Sequence, residues 1–118
     1  MNTFDVELRH LRSEIDQIDR MLLDAIVQRA SISTNIAALK ASRGLPVLNP
    51  QREADIIEDR CRIGAELGLP PESVGIVFRS MLELCRVVSS DRITDLVRTG
   101  GLHGTSENRS PLSAESAS

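Results

Sequence analysis

Aromatic side chains are almost absent from this chain. Its 118 residues include two phenylalanines, Phe4 and Phe78, and neither Trp nor Tyr. The core must therefore be built from Leu, Ile, Val, Ala and Met, which suits packed helices. Nucleic-acid binding is disfavoured as well, because the chain lacks stacking rings and carries a net charge of −3. A small anion stays compatible with this composition, because local positive charge can oppose the net charge.

Cysteine is scarce and long apolar runs are missing. Cys61 and Cys85 are the two cysteines. They form no CxxC pair and have no His nearby, so we predict free thiols in a reducing cytoplasm and no metal site. No apolar run reaches membrane length, and the first dozen residues are too charged for a signal peptide. We therefore expect a cytoplasmic protein without membrane contact.

Proline and glycine are missing from the first 43 residues, so nothing in the backbone chemistry interrupts a helix there. An apolar stripe with helical spacing runs along this stretch. Its members, at alternating steps of three and four, are Leu8, Leu11, Ile15, Ile18, Leu22, Ala25, Arg29, Ile32, Ile36 and Leu39. Thirty-odd residues make a rod of roughly 50 Å, whereas a compact domain of this size has a radius of gyration near 13 Å. One short chain can hardly cover such a stripe, so we predict a homodimer organised on this helix.

The whole pattern predicts an all-α fold, a three-helix chain with a long first helix in an intertwined helical homodimer. The predicted helices cover about residues 7–42, 50–67 and 71–98. Gly44 and Gly68 supply the left-handed caps that end the first two helices. Asn49 can cap the second helix, and Pro50 suits its first position. Residues 1–98 would form one helical domain, and 99–118 a disordered tail that buries too little apolar surface to fold.

Two cations share one face of the predicted first helix. Arg29 lies on the apolar stripe, where an Arg is costly unless an anion or carboxylate meets it. Lys40 lies about 20° round the helix from Arg29 and roughly 16 Å along it. The pair could clasp a small dianion. Arg29 could equally extend past the core edge or pair with an acid, and the helix dipole alone favours Lys40 in the last turn.

The start of the second helix adds Arg52 and Glu53. The dipole disfavours Arg52 in the first turn and favours Glu53. An anion shared with Arg29 would explain Arg52, and so would an Arg tolerated on the surface. Arg12 lies about 25 Å from Arg29 along one rod, too far for both to touch one small molecule. Antiparallel pairing of two rods would bring Arg12 of one chain to Arg29 of the other; alone, Arg12 would be a solvated surface charge.

Cys85 and Ser89 lie one turn apart on the predicted third helix. Small residues on a buried helix face more often pack in the core than take part in catalysis. Neither His10 nor His103 is in the sequence context of Cys85, so we propose no covalent catalysis. The sequence also has no Gly-rich phosphate loop and no metal-ligand cluster.

Several short motifs together closely resemble the all-helical chorismate mutases, over roughly residues 8–92. They are Leu11-Arg12-Ser13-Glu14-Ile15-Asp16 with Ile18-Asp19, Leu22-Leu23, Arg29, Ala38-Leu39-Lys40, Asn49-Pro50-Gln51-Arg52-Glu53, Gly68-Leu69-Pro70, and Phe78-Arg79 through Cys85-Arg86. The resemblance implies interlocked three-helix chains that convert chorismate to prephenate by a Claisen rearrangement, without a cofactor. It also implies that Arg29 and Arg12 of the partner subunit hold the substrate carboxylates and that Lys40 donates to the ether oxygen.

The resemblance further implies that Arg52 positions the substrate and that Glu53, near the backbone of Asn49, takes the ring hydroxyl. Two positions depart from the family pattern. Cys85 stands where the family commonly has Ser, and Ser89 where it commonly has Gln or Glu facing the ether oxygen. Both offer a weaker or shorter contact at that corner, although a water could bridge from Ser89.

These departures leave the substrate open. The first hypothesis is that the chain is a chorismate mutase of aromatic amino-acid biosynthesis. The second is a related mutase or pyruvate lyase acting on 4-amino-4-deoxychorismate or isochorismate, and the third a non-catalytic helical dimerisation module. The resemblance also implies, for some short family members, an activating partner, the enzyme that opens the shikimate pathway.

Overall fold

The computed structural model describes residues 2–99, apart from the side chains of residues 96 and 97. Within this range the chain is all-helical and has no strand, as the sequence predicts. The helices are α1 (Thr3–Ser42), α2 (Pro50–Glu66) and α3 (Pro71–Thr99). The prediction of a six-residue lead-in is wrong, because the side chain of Asn2 caps α1 by accepting a 2.8 Å hydrogen bond from the Asp5 amide. Helix α3 includes Thr99, and the rest of the predicted tail, 100–118, lies outside the described residues.

Helices α1 and α2 end in the same way. Gly44 and Gly68 have φ values of 68° and 86°, in the left-handed region that a side chain would strain. The amide after each glycine bonds back five residues, Leu45 to the Lys40 carbonyl at 2.9 Å and Leu69 to the Gly64 carbonyl at 2.8 Å. These bonds form Schellman motifs, which satisfy the last carbonyls of each helix and turn the chain sharply.

Helix α3 packs against both other helices. The buried apolar side chains are Ala30, Ala37, Ile56, Leu82 and Cys85, so the core lies between the C-terminal half of α1, α2 and the middle of α3. Where α2 meets α3, a Cβ at Gly64 would lie 2.6 Å from a methyl carbon of Val74. A side chain at position 64 would therefore force Val74 or the helices to shift.

The N-terminal half of α1 extends away from the core. Apart from half-buried Leu8, every residue from 2 to 25 is exposed. The described chain measures 65 × 33 × 20 Å with a radius of gyration of 19.1 Å, against about 13 Å for a compact domain of this length. Within one chain, the first half of the apolar stripe is therefore uncovered.

The C-terminal half of α1 contacts α3 through a different face from the apolar stripe. Ala30, Thr34 and Ala37 are buried, whereas Ile32 on the stripe remains 60% exposed. At 100° per residue the buried face lies about 145° round the helix from the stripe, roughly two-fifths of a turn. Small side chains let α3 approach closely here, a contact that hydrophobic periodicity alone did not indicate. Within residues 2–99 no helix is long and apolar enough to span a membrane.

Candidate active site

A cavity of about 440 Å³ opens between α1, α3 and the loop before α2. Five predicted site residues line it: Arg29, Asn49, Glu53, Cys85 and Ser89. Apolar side chains such as Ile36, Leu82 and Ile93 form much of its wall. The fold thus brings together residues that are up to 60 positions apart in the sequence.

Arg29 reaches across from α1 to α3 inside this cavity. Its Nη1 donates a hydrogen bond to Cys85 Sγ at 3.2 Å. Cys85, expected as a weak donor, here accepts. No carboxylate within residues 2–99 forms an ion pair with Arg29, although its side chain is half-buried. A partly buried guanidinium without an acidic partner favours an anion.

Lys40 is buried, with 4% of its surface exposed, at the end of α1. The Schellman turn folds the following loop over it, and Lys40 Nζ donates to the Val47 carbonyl at 3.3 Å. Val47 lines the cavity, whereas Lys40 itself is not part of the lining. The ammonium group therefore contacts a residue of the cavity wall without lining the cavity itself.

The first turn of α2 brings Asn49, Arg52 and Glu53 into one cap. Asn49 Oδ1 accepts from the Arg52 amide at 3.0 Å, and the Glu53 amide donates to the Asn49 carbonyl at 3.1 Å. The side chain of Arg52 is half-buried and does not line the cavity. Its Nε is buried and has no hydrogen-bond partner in the described chain. An unsatisfied buried donor of this kind is costly, so Arg52 is a second cation that an anion would stabilise.

Ser89 is turned toward α1. Its Oγ lies 3.1 Å from Thr34 Oγ1, and both residues are buried. Because Thr34 donates its own hydroxyl proton to the Ala30 carbonyl at 2.9 Å, the shared proton comes from Ser89. Ser89 therefore presents acceptor lone pairs to the cavity. The sequence analysis did not predict a role for Thr34. The available indication was its spacing, since Ala30, Thr34 and Ala37 put small side chains on one face of α1.

Arg86 lines the same cavity and was also missed. Its Nη1 donates to Glu53 Oε2 at 2.5 Å, while Nε and Nη2 donate to Glu83 at 3.1 and 2.8 Å. The hydrogen bonds to Glu83 and then Glu53 raise the pKa of Arg86 above its ordinary value. The sequence signal was a Glu–Arg pair three apart on α3, which is also an ordinary pattern of a solvated helix face.

Arg12 lies on the exposed half of α1, away from the cavity. It borders a shallow groove with Asp5, Arg9 and Asp16. One chain therefore does not bring Arg12 to Arg29, as the rod geometry predicts. Among residues 2–99, no three His, Cys, Asp or Glu side chains are grouped so as to hold a metal, and Cys61 and Cys85 are free thiols.

Comparison with known proteins identifies the family. Residues 11–90 match the family described as chorismate mutase type II. The chain belongs to that family. The matched segment includes every predicted site residue of this chorismate mutase type II domain, from Arg12 to Ser89. No solved structure gives a significant match.

Three curated relatives show the range of proteins that carry this domain. The T-protein of Enterobacter agglomerans is 31% identical over 86 residues, which cover 73% of this chain and 23% of the relative. The chorismate mutase of Methanocaldococcus jannaschii is 33% identical over 78 residues, covering 65% and 78%. The 4-amino-4-deoxychorismate mutase of Streptomyces venezuelae is 32% identical over 82 residues, covering 69% and 80%. The chain thus spans less than a quarter of the T-protein but most of the two smaller relatives.

Proposed function

We propose that this chain is a chorismate mutase, which converts chorismate to prephenate in aromatic amino-acid biosynthesis. The observation that carries the proposal is Arg29, a half-buried cation that lines the cavity and has no carboxylate partner within residues 2–99. Family membership and the names of the T-protein and chorismate mutase relatives support the same reaction.

The chemistry fits a site made of cations and apolar walls. A Claisen rearrangement is intramolecular, so it needs neither a nucleophile nor a cofactor, and we propose none. It needs the substrate held in a folded conformer, and positive charge where negative charge grows as the C–O bond lengthens. Arg29 would bind a carboxylate, and Lys40 would donate to the ether oxygen in place of the Val47 carbonyl.

The first turn of α2 would complete one side of the site. Arg52 would position the substrate, because its buried Nε has no partner in the described chain. Glu53 would accept the ring hydroxyl, and Asn49 would keep this turn in place through its bond to the Arg52 amide. Cys85 and Ser89 would form the opposite wall on α3.

A second copy of the chain would supply the remaining cation. The exposed stripe on α1 includes Leu11, Ile15, Ile18 and Leu22, each more than half exposed. An antiparallel partner helix would cover this stripe. It would also bring Arg12 of the partner subunit to Arg29. The proposed assembly is therefore a homodimer with two shared sites.

A second substrate is favoured by one observation. Ser89 presents an acceptor to the cavity, where the family commonly places Gln or Glu. Without a donor at that position the contact to the ether oxygen of chorismate would be weaker, which leaves a related substrate open, and the Streptomyces venezuelae relative is named as a 4-amino-4-deoxychorismate mutase. That compound is our alternative substrate, and isochorismate, as substrate of a mutase or pyruvate lyase, is a further one.

The cellular setting is part of the proposal. The two free thiols, Cys61 and Cys85, agree with a reducing cytoplasm. The resemblance also raises activation by the enzyme that opens the shikimate pathway. Assays with and without that enzyme would reveal such a partner.

The test offers chorismate, isochorismate and 4-amino-4-deoxychorismate in turn to the wild type and to Arg29→Ala. We expect turnover of chorismate by the wild type and its loss in Arg29→Ala, with the dimer intact. Arg62→Ala is the matched control, because Arg62 pairs with Asp59 and Glu66 on the surface of α2. Normal kcat/KM in Arg29→Ala would exclude the assigned role. Consumption of none of the three substrates, with the partner enzyme present, would favour a non-catalytic dimerisation module.

A further inference from the structure

Arg86 connects α3 to the start of α2 at the mouth of the cavity. Its guanidinium is anchored on its own helix by Glu83, through Nε and Nη2. The remaining nitrogen, Nη1, reaches Glu53 on α2. The two side chains are 42% and 26% exposed, so this ion pair is partly shielded from water. Glu53 is thus held from a second helix.

The charges explain why Glu53 needs such a partner. A substrate with two carboxylates repels a carboxylate that lines the same cavity, and this repulsion increases where water is partly excluded. A cation bonded to Glu53 offsets the repulsion and still leaves an acceptor. Arg86 occupies Oε2 of Glu53, and among the described residues Oε1 accepts no side-chain hydrogen bond. Oε1 is the oxygen that can accept from a ligand hydroxyl.

Arg86 is poorly suited to bind the substrate anion itself. All three of its nitrogens already donate to carboxylates. With Glu53 and Glu83, Arg86 forms a cluster of net charge −1, and such a cluster would not attract the anionic substrate. Arg29, which has no acidic partner within residues 2–99, differs in this respect.

We propose that Arg86 is a positioning residue, which holds the Glu53 carboxylate so that one oxygen faces the substrate hydroxyl. This inference rests on the proposed function. Glu53 remains the group that touches the substrate, and Arg86 acts through it. Its effect should therefore depend on the presence of the Glu53 carboxylate.

A double-mutant cycle tests this dependence. We expect Arg86→Gln to lower kcat/KM for chorismate by about tenfold or more, because misplacing a contact group by about 1 Å can cost 100-fold. Arg86→Lys, which keeps the charge, should recover part of that loss. In the Glu53→Gln background, Arg86→Gln should cost less than about twofold. Arg62→Gln is the control for loss of a surface arginine with two acidic partners.

Two results would overturn the proposal. One is wild-type kcat/KM in Arg86→Gln. The other is an equal loss from Arg86→Gln with and without Glu53, which would mean that Arg86 acts on substrate or fold independently. Thermal melts confirm folding of each variant. If Arg86→Gln does not fold, the cycle uses Arg86→Lys, which must likewise lose its effect in the Glu53→Gln background.

A measurement without substrate separates this inference from the proposed function. NMR of the guanidinium nitrogens should show a hydrogen-bonded Nη1 signal of Arg86 that is lost in Glu53→Gln, while the Nε signal held by Glu83 persists. Gln51→Glu, a surface change in the same helix turn, should alter neither signal. Arg86 Nη1 signals that do not change in Glu53→Gln would overturn the proposal, whether or not chorismate is consumed. Failure of the wild type on all three substrates would instead remove the proposed function, and the ion pair would be judged by NMR alone.

Discussion

Single residues that contradict their local pattern carry the account of the site. Arg29 interrupts an apolar stripe, and Arg52 lies where the helix dipole disfavours a cation. Both remain without an acidic partner in the described chain, and Arg52 Nε has no hydrogen-bond partner there at all. Ser89 differs, because it is satisfied by Thr34 and faces the cavity only with lone pairs. These residues therefore predict that the cavity binds an anion and that Ser89 provides no hydrogen-bond donor to it.

The missing donor at position 89 leads to a direct prediction. Ser89→Gln would place an amide donor in the cavity, and we expect kcat/KM for chorismate to rise by about tenfold to 100-fold, since one donor in an oxyanion-type site contributes about 3 kcal/mol when well placed. The measurement is steady-state kinetics, with Ser80→Gln on the exposed face of α3 as the control. An unchanged or lower rate with chorismate, together with turnover of 4-amino-4-deoxychorismate by the wild type, would indicate the alternative substrate.

At the residue scale the sequence predicted several residues that line the cavity, but not two that bond to them. Arg29, Asn49, Glu53, Cys85 and Ser89 were predicted, and all five line one cavity. Thr34 and Arg86 were missed. The partners that give them a place in the site, Ser89 for Thr34 and Glu53 for Arg86, lie on other helices. Their importance therefore depends on how each helix is rotated about its axis, which short-range sequence patterns do not encode. The roles of all these residues remain predictions.

Helix ends were the most predictable elements, because caps are local chemistry. Asn49, Gly44 and Gly68 occupy the cap positions that the sequence assigned to them. Asn2 was overlooked, although its amide caps α1 in the same way. The face that α1 presents to α3 was less predictable, because small residues rather than large apolar ones mark it.

The contact between α2 and α3 allows a test at this scale. Gly64→Ala should lower the free energy of unfolding by about 1 to 3 kcal/mol, because the new methyl group would overlap Val74, 2.6 Å away. Val74→Ala in the same chain should restore part of the loss. Gly75→Ala is the comparison: its new methyl group would lie 3.3 Å from Cys61 Sγ, a tight contact that a small shift can relieve, and the change improves helix propensity by about 1 kcal/mol, so its loss should be smaller than that of Gly64→Ala. Urea unfolding measures all three, and a Gly64→Ala protein as stable as wild type would contradict the packing described.

The whole molecule is more extended than a domain of its length needs to be. The first half of α1 leaves an apolar stripe exposed and holds Arg12 away from the cavity. Antiparallel pairing of two chains would resolve both features at once. The sequence predicted the need for a second chain from an apolar stripe on a rod of thirty-odd residues, roughly 50 Å long, and the 40 residues of α1 span about 60 Å. The pairing itself remains a proposal.

The most direct measurement is complementation between two inactive variants. Arg12→Ala and Arg29→Ala should each lose turnover, since either change removes a cation from both sites of a homodimer. If the variants are unfolded together and refolded as a mixture, half of the dimers should contain one chain of each kind. Each mixed dimer would have one site with both arginines intact, so activity should return to about one quarter of the wild-type value. A refolded mixture that stays as inactive as its components would contradict a site shared between two chains.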